Sequence, residues 1–173
     1  MSIEGFGVNG KQQGFTLIEV LITVVLMSIG LLGLAGLQMT GIRGGQQALD
    51  SSNVYALAWD MADRVRANPA GASGGQYDNL TGSPGSLPSC ISSGCSPANL
   101  ATYDYKQWRD ALANNLPEGV GSICRSNDID TVVAPGGEDC SGGPNAPLVV
   151  RIWWNHDQNP NTPLAYFGMG VLP

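Results

Sequence analysis

Hydrophobic and polar positions divide the chain into a long helical first part and a mixed second part. Phe15 to Leu37 is a run of 23 residues, of which sixteen are apolar, three are Gly and four are polar (Thr16, Glu19, Thr23, Ser28). About 20 mostly apolar residues span a bilayer as a helix, so the run predicts a membrane-crossing segment. It exceeds the roughly 7–15-residue apolar core of a secretory signal, and no Ala-x-Ala-like site follows it. Farther on, Val54, Leu57, Ala58, Met61, Ala62 and Val65 fall at i, i+3, i+4, i+7, i+8 and i+11, an apolar helical stripe. Asp60 with Arg64 and Asp63 with Arg66 are spaced as ion pairs on the opposite side. The pattern predicts one helix from Phe15 to Asn68, ended by Pro69, with its stripe packed on a globular part. Gly41, Gly44 and Gly45 each cost about 1 kcal/mol against Ala in a helix. They predict local bending or melting, or else close packing of a neighbouring helix.

The second part has shorter periods. Of the 32 residues from Pro69 to Leu100, 17 are Gly, Pro or Ser, which predicts an irregular connection. Such a length fits either an exposed surface role or a stapled coil over a sheet edge. Tyr105, Trp108, Ala111 and Leu112 give one apolar face to a helix over Tyr103–Asn115, closed by Leu116-Pro117-Glu118-Gly119. Val120–Cys124, Leu148–Trp154 and Pro163–Val171 read as strands, the second being the richest in β-branched and aromatic residues. Turn-rich spacers between them predict an antiparallel meander, so the fold class is α+β.

Composition narrows the function. The net charge is −6, charged residues make up 13%, and no basic run occurs, which argues against nucleic-acid binding. A hydrophobic fraction of 43% excludes a disordered chain. With His156 the single histidine, most His-based catalysis has no donor. The sequence contains no phosphate-binding Gly loop, nucleophile elbow or metal-ligand cluster, so neither an enzyme nor a cofactor is expected. Gly136-Gly137 and Gly142-Gly143 lie in a turn-rich segment, and Glu138 and Asp139 read as a solvated loop.

Four cysteines, Cys90, Cys95, Cys124 and Cys140, all follow the membrane segment. An even count in an exported part reads as disulfides, and three connectivities are possible. The Gly- and Ser-rich segments between neighbours favour Cys90–Cys95 with Cys124–Cys140. The CxxC spacing of a zinc site is absent. Asn155, Asp157, Asn159 and Asn161 alternate as oxygen ligands do at the start of a calcium loop, which makes them a weak metal candidate. The later Gly and the twelfth-position Glu are missing, so a polar hairpin turn is the plainer reading.

Glu19 is the anomaly of the apolar run. An intramembrane carboxylate is functional by default unless it snorkels to water. It is framed by a short polar stretch, Met1 to Gly14, that carries Lys11 and ends in Gly. Gly14-Phe15-Thr16-Leu17-Ile18-Glu19 resembles the processing site of type IV prepilins and of type II secretion pseudopilins. Ser28-Ile29-Gly30-Leu31-Leu32-Gly33-Leu34-Ala35-Gly36-Leu37-Gln38 and Ala62-Asp63-Arg64-Val65-Arg66-Ala67-Asn68-Pro69 resemble minor pilins of the PilV type. Together these cover roughly the first 70 residues, and the remainder resembles the family only loosely, near Trp153-Trp154.

The resemblance implies a pilin fold: a long N-terminal α-helix on a small antiparallel sheet with disulfide-stapled loops. It implies a leader over 1–14, a transmembrane and polymerisation helix over 15–37, its amphipathic continuation over 38–68, and a globular domain over 69–173. It implies cleavage between Gly14 and Phe15, N-methylation of Phe15, and a role for Glu19 in assembly. The implied partners are other minor and major pilins, a prepilin peptidase and an inner-membrane assembly platform. The globular part would lie outside the inner membrane before assembly and on the cell surface afterwards. Lys11 ahead of the span, with Arg43 the only cation just beyond it, lends weak support to that orientation. A minor pilin promoting pilus assembly, twitching motility and adhesion is the first expectation. A type II secretion pseudopilin and a tethered receptor that never polymerises are the rivals.

Overall fold

The computed structural model describes residues 14–86, 89–90, 94–157 and 159–172. The expected leader lies outside the described residues except for Gly14. The chain forms two compact units that divide at Gly44/Gly45, inside a single helix, α1 (Leu17–Ala67). The helix starts two residues later than the apolar run predicts. In the first unit all its side chains are exposed, and its apolar window has a mean hydropathy of 2.5. Two polar residues of the run, Thr23 and Ser28, bond back to their own helix. Thr23 Oγ1 donates to Val20 O (2.8 Å), and Ser28 Oγ to Val24 O (2.7 Å).

The helix does not melt at Gly41, Gly44 and Gly45, contrary to one expectation. An added Cβ at any of the three meets nothing within 4 Å, so close packing within this chain does not explain them either. The unbroken hydrogen-bond ladder on both sides of them outweighs the local propensity cost.

The second unit holds the remaining elements: α2 (Pro69–Ser73), β1 (Asn79–Leu80), α3 (Pro97–Asn115), β2 (Val120–Arg125), β3 (Leu148–Trp154) and β4 (Ala165–Val171). The strands form one antiparallel sheet in the order β1-β2-β3-β4. Pro69 both follows the end of α1 and opens α2. Asn68 caps α2 by accepting from Gly71 N–H (3.1 Å), and Pro at the first helical position gives up an N–H that had no partner. The segment expected to be irregular therefore holds α2, β1 and the first turn of α3. Ser96 accepts from Asn99 N–H (3.3 Å), and Pro97 follows it, so α3 begins six residues before the predicted start. β4 begins at Ala165 rather than Pro163, since proline cannot donate to the ladder.

The core sits on one face of the sheet. Val54, Ala58, Met61, Ala62 and Val65 of α1, the predicted stripe, pack with Tyr105, Trp108 and Leu112 of α3 and with Ile123, Leu148, Val150 and Ile152. The other face is also covered, and all seven residues of β3 are buried. The cover is the segment 126–147. Arg151 Nη2 donates to Asp128 O (2.8 Å), Trp153 Nε1 to Val133 O (2.6 Å) and Tyr166 Oη to Ile129 O (3.2 Å). Disulfides join Cys90 to Cys95 and Cys124 to Cys140, with Cα separations of 4.8 and 5.4 Å. The second bond fastens the cover to β2, 16 residues apart along the chain.

Replacing both Cys124 and Cys140 by Ser is expected to cost about 3 kcal/mol on the chain-entropy account. Limited proteolysis should then cut within 126–147 at protease levels that leave the parent chain intact. Equal resistance would mean that the hydrogen bonds to Arg151 and Trp153 hold the cover unaided.

Candidate functional site

The residues singled out at the N-terminus stand on exposed surface. Phe15 is 83% exposed and precedes the first turn of α1. Thr16 O accepts from the N–H groups of both Glu19 (3.1 Å) and Val20 (3.3 Å), which starts the helix. Glu19 thus lies in the first turn, where a carboxylate favours the positive end of the helix dipole. Among the described residues its carboxylate has no hydrogen-bond or ion-pair partner, whereas the hydroxyls of Thr23 and Ser28 are satisfied. A row of exposed apolar side chains follows it, from Val20 and Leu21 through Leu34 and Leu37. In hydrocarbon such a carboxylate costs about 3 kcal/mol at the middle of a span and less near its ends. It would hold a cation from elsewhere in preference to remaining unpaired.

In the second unit, polar groups bind the end of α1 to α3. Arg64 Nε donates to Asp60 Oδ2 (2.9 Å) and Nη1 to Gln107 Oε1 (3.0 Å), with Asp104 Oδ1 at 3.5 Å. Tyr77 Oη donates to Asp104 Oδ2 (2.7 Å) and accepts from Asn68 Nδ2 (3.1 Å). Burial pushes the Asp104 carboxyl above its ordinary range, while the Tyr77 hydroxyl and the Arg64 guanidinium pull it back. Burial and the Asp104 hydrogen bond also push the Tyr77 hydroxyl up, so it stays protonated and donating. This is an anchor rather than an acid/base pair, because every oxygen is committed to a structural partner.

The alternating Asn155, Asp157, Asn159 and Asn161 form a turn. Asn155 Nδ2 donates to Glu118 Oε1 (3.3 Å), Asp157 Oδ1 accepts from Asn159 N–H (3.0 Å), and Asn159 Oδ1 from Asn161 N–H (3.1 Å). The backbone N–H of Asn159 holds the Asp157 carboxyl below its usual range. The side-chain oxygens of Asp157 and Asn159 thus serve amides two residues on. All four cysteines lie in disulfides, which leaves no thiol to act as a nucleophile or a ligand. Among the described residues, no three His, Cys, Asp or Glu side chains come together as a metal site would require.

Composition missed Asn68, Asp104, Arg125 and Arg151, all of them buried. Arg125 Nε donates to Asp78 Oδ1 (2.7 Å) and Nη1 to Ala146 O (2.6 Å), which ties β2 to both ends of its neighbouring loops. The partners of Asp104, Arg125 and Arg151 are distant in sequence, and no local signal marks these three.

Two comparisons with known families adjoin along the chain. Residues 9–35 match the prokaryotic N-terminal methylation motif, and residues 36–106 match the family of the type IV pilin Tt1218. No curated protein and no solved structure matches the chain. The first match contains Gly14, Phe15, Glu19 and most of the exposed apolar run, and the second extends through the buried stripe of α1 to α3. The architecture agrees with them, with a long N-terminal helix and a four-stranded antiparallel sheet stapled by two disulfides. The two matches together span residues 9–106 and support a type IV pilin, a structural and non-enzymatic family.

Proposed function

We propose that the chain is a minor pilin of the PilV type. It acts in the complex that primes pilus assembly and sits at the pilus tip, and so promotes piliation, twitching motility and attachment. The prepilin peptidase cuts between Gly14 and Phe15 and methylates the new amine of Phe15. The processed chain stays in the inner membrane through the Phe15–Leu37 segment, with its second unit on the periplasmic side. The assembly platform then moves it into contact with other minor and major pilins.

The observation that carries this reading is the unpartnered Glu19 carboxylate in the first turn of an exposed apolar helix, next to a Gly-Phe pair. Cleavage after Gly14 would place a cation four residues before that carboxylate. The Phe15 amine of one subunit could then pair with Glu19 of the next. Separate charges are costly in an apolar filament core and paired charges are tolerable, so the pair selects one axial offset between subunits. The pseudopilin reading shares this chemistry. It gains nothing from Asp157 and Asn159, whose oxygens accept from their own turn.

Mass analysis of the protein from membranes and from sheared surface fibres of its native host tests the proposal. A chain starting at methylated Phe15, present in fibres with other pilins, is the expected result. An uncut chain confined to the membrane would overturn it. Gly14→Val should leave at least nine-tenths of the chain uncut (roughly a tenfold loss, equivalent to about 1.4 kcal/mol in the cleavage barrier). A normal mature N-terminus in that variant would place the cut elsewhere.

A further inference from the structure

The two edges of the sheet are treated differently. On the β2 side, β1 covers Ile123 and Cys124, and the Asp78 carbonyl accepts from the Arg125 N–H (3.1 Å). The remaining part is capped by side chains. Gly121 O accepts from Arg109 Nη1 (2.6 Å) and from Tyr105 Oη (3.2 Å). Among the described residues, the β4 side has no such protection. Ala165–Val171 bonds to β3, and among the described residues no other hydrogen bond reaches its backbone. Its seven residues include no charge and no Pro, and six of them are partly or fully exposed. Native sheets normally blunt such an edge with charges, prolines, bulges or a covering element.

Exposed aromatic surface lies beside this open edge. Tyr55 of α1, 55% exposed, packs edge-on against Phe167 of β4 with ring centroids 4.9 Å apart. Trp59, one turn on, is 53% exposed, and the Arg66 guanidinium lies over its ring at 5.6 Å. An incoming strand would find unpaired main-chain groups on its inner side and the exposed ring of Tyr55 beside alternate side chains.

We propose that the outer edge of β4 is a strand-addition site for an extended segment, apolar at alternate positions, from a different pilin subunit of the same assembly. The inference rests on the pilus-assembly reading. Pilins assemble with one another, so a neighbour held through the apolar helix is present at high effective concentration. A second copy of this chain fits less well. Its β2 edge is capped, so identical copies cannot extend one sheet from β2 to β4, and a net charge of −6 on each copy opposes a β4–β4 pair. A subunit with one open edge accepts one strand and stops the sheet there.

A photo-reactive benzoylphenylalanine replacing Tyr55 in the full-length chain, expressed in its host, tests this. The expected result is a crosslink to another pilin, mapped by mass spectrometry to an extended segment of that pilin. Met169→Lys, which sets a charge on the edge, should cut its yield roughly tenfold. Because Met169 also packs against the core, hydrogen exchange gives an independent reading. The outward amides of β4 should exchange at least tenfold more slowly in the purified complex than in the chain alone. Crosslinking only to a second copy, insensitivity to Met169→Lys in a chain that keeps both disulfides, or equal exchange rates would overturn the proposal. The mature N-terminus and the fibre content are read in the same samples. A processed chain in fibres without the crosslink refutes strand addition alone, whereas an unprocessed chain absent from fibres refutes the assembly reading itself.

Discussion

Glu19→Ala should be cut and methylated normally, insert into the membrane, and yet be depleted from surface fibres on the order of a hundredfold or more. The magnitude follows from the environment. Removing one partner of a buried ion pair costs roughly 3–5 kcal/mol, because the other charge is left uncompensated, and each 1.4 kcal/mol is a factor of ten. Here the stranded charge would be the Phe15 amine of the adjoining subunit. The apolar row from Val20 to Leu37 remains intact in the variant, so membrane insertion should not suffer. Losing a carboxylate from a span slightly favours insertion. Glu19→Gln separates the possible causes. It keeps the shape and a hydrogen-bond acceptor but not the charge, and should incorporate nearly as poorly as the Ala variant. Quantifying the chain in membrane and fibre fractions against the major pilin reads both effects. Incorporation at the parental level would show that the apolar helix alone sets the subunit offset.

What the sequence made legible followed from local pattern. The helix stripe Val54–Val65 repeats with a helical period, and all but Leu57 of its members are fully buried. β3 is a run of β-branched and aromatic residues, and it became a central strand buried on both faces. Glu19 stood out because one charge among apolar neighbours is a local anomaly that needs no tertiary information. Ser96-Pro97 and Asn68-Pro69 carried an equally local signal, a capping side chain followed by proline, but lay in a stretch read by its turn content. Capping chemistry there outweighed the bulk composition.

The rest depended on contacts between remote segments. Residues 126–147 have neither a helical nor a strand period, and only the hydrogen bonds of Arg151, Trp153 and Tyr166 show that they cover a sheet face. Arg125 and Arg151 would be read as solvated from composition. They are buried because loop carbonyls and Asp78 converge on them. The order of strands, and with it the open edge at β4, also lay outside what a one-dimensional pattern can give.

Trp108→Ala should lower the stability of the second unit by about 3–5 kcal/mol, the usual cost of truncating a fully buried Trp. The indole is fully buried, and its Nε1 donates to Leu57 O of α1 at 2.8 Å. Its ring lies directly over Gly121 of β2, where an added Cβ would collide with the ring and with Leu112. One side chain of α3 thus fills the space between α1 and the sheet, and these rigid elements leave little scope for collapse into the gap. Against a total of roughly 5–15 kcal/mol, such a loss removes a large share of the stability. Urea denaturation of the purified chain in detergent, followed by near-ultraviolet circular dichroism, should show the midpoint fall with little change in slope. Trp108→Phe retains most of the buried area and should lose only about 1–2 kcal/mol, since Leu57 O keeps its place in the helix ladder. A loss below about 1 kcal/mol in the Ala variant would mean that α1 and β2 close over the gap. The proposed peptidase cut at Gly14-Phe15 lies in the other unit, so the Ala variant should still be processed while its fibre content falls. Glu19→Ala should produce the same loss from fibres with an unchanged urea midpoint, and the pair would separate the stability of the second unit from the assembly chemistry of the helix.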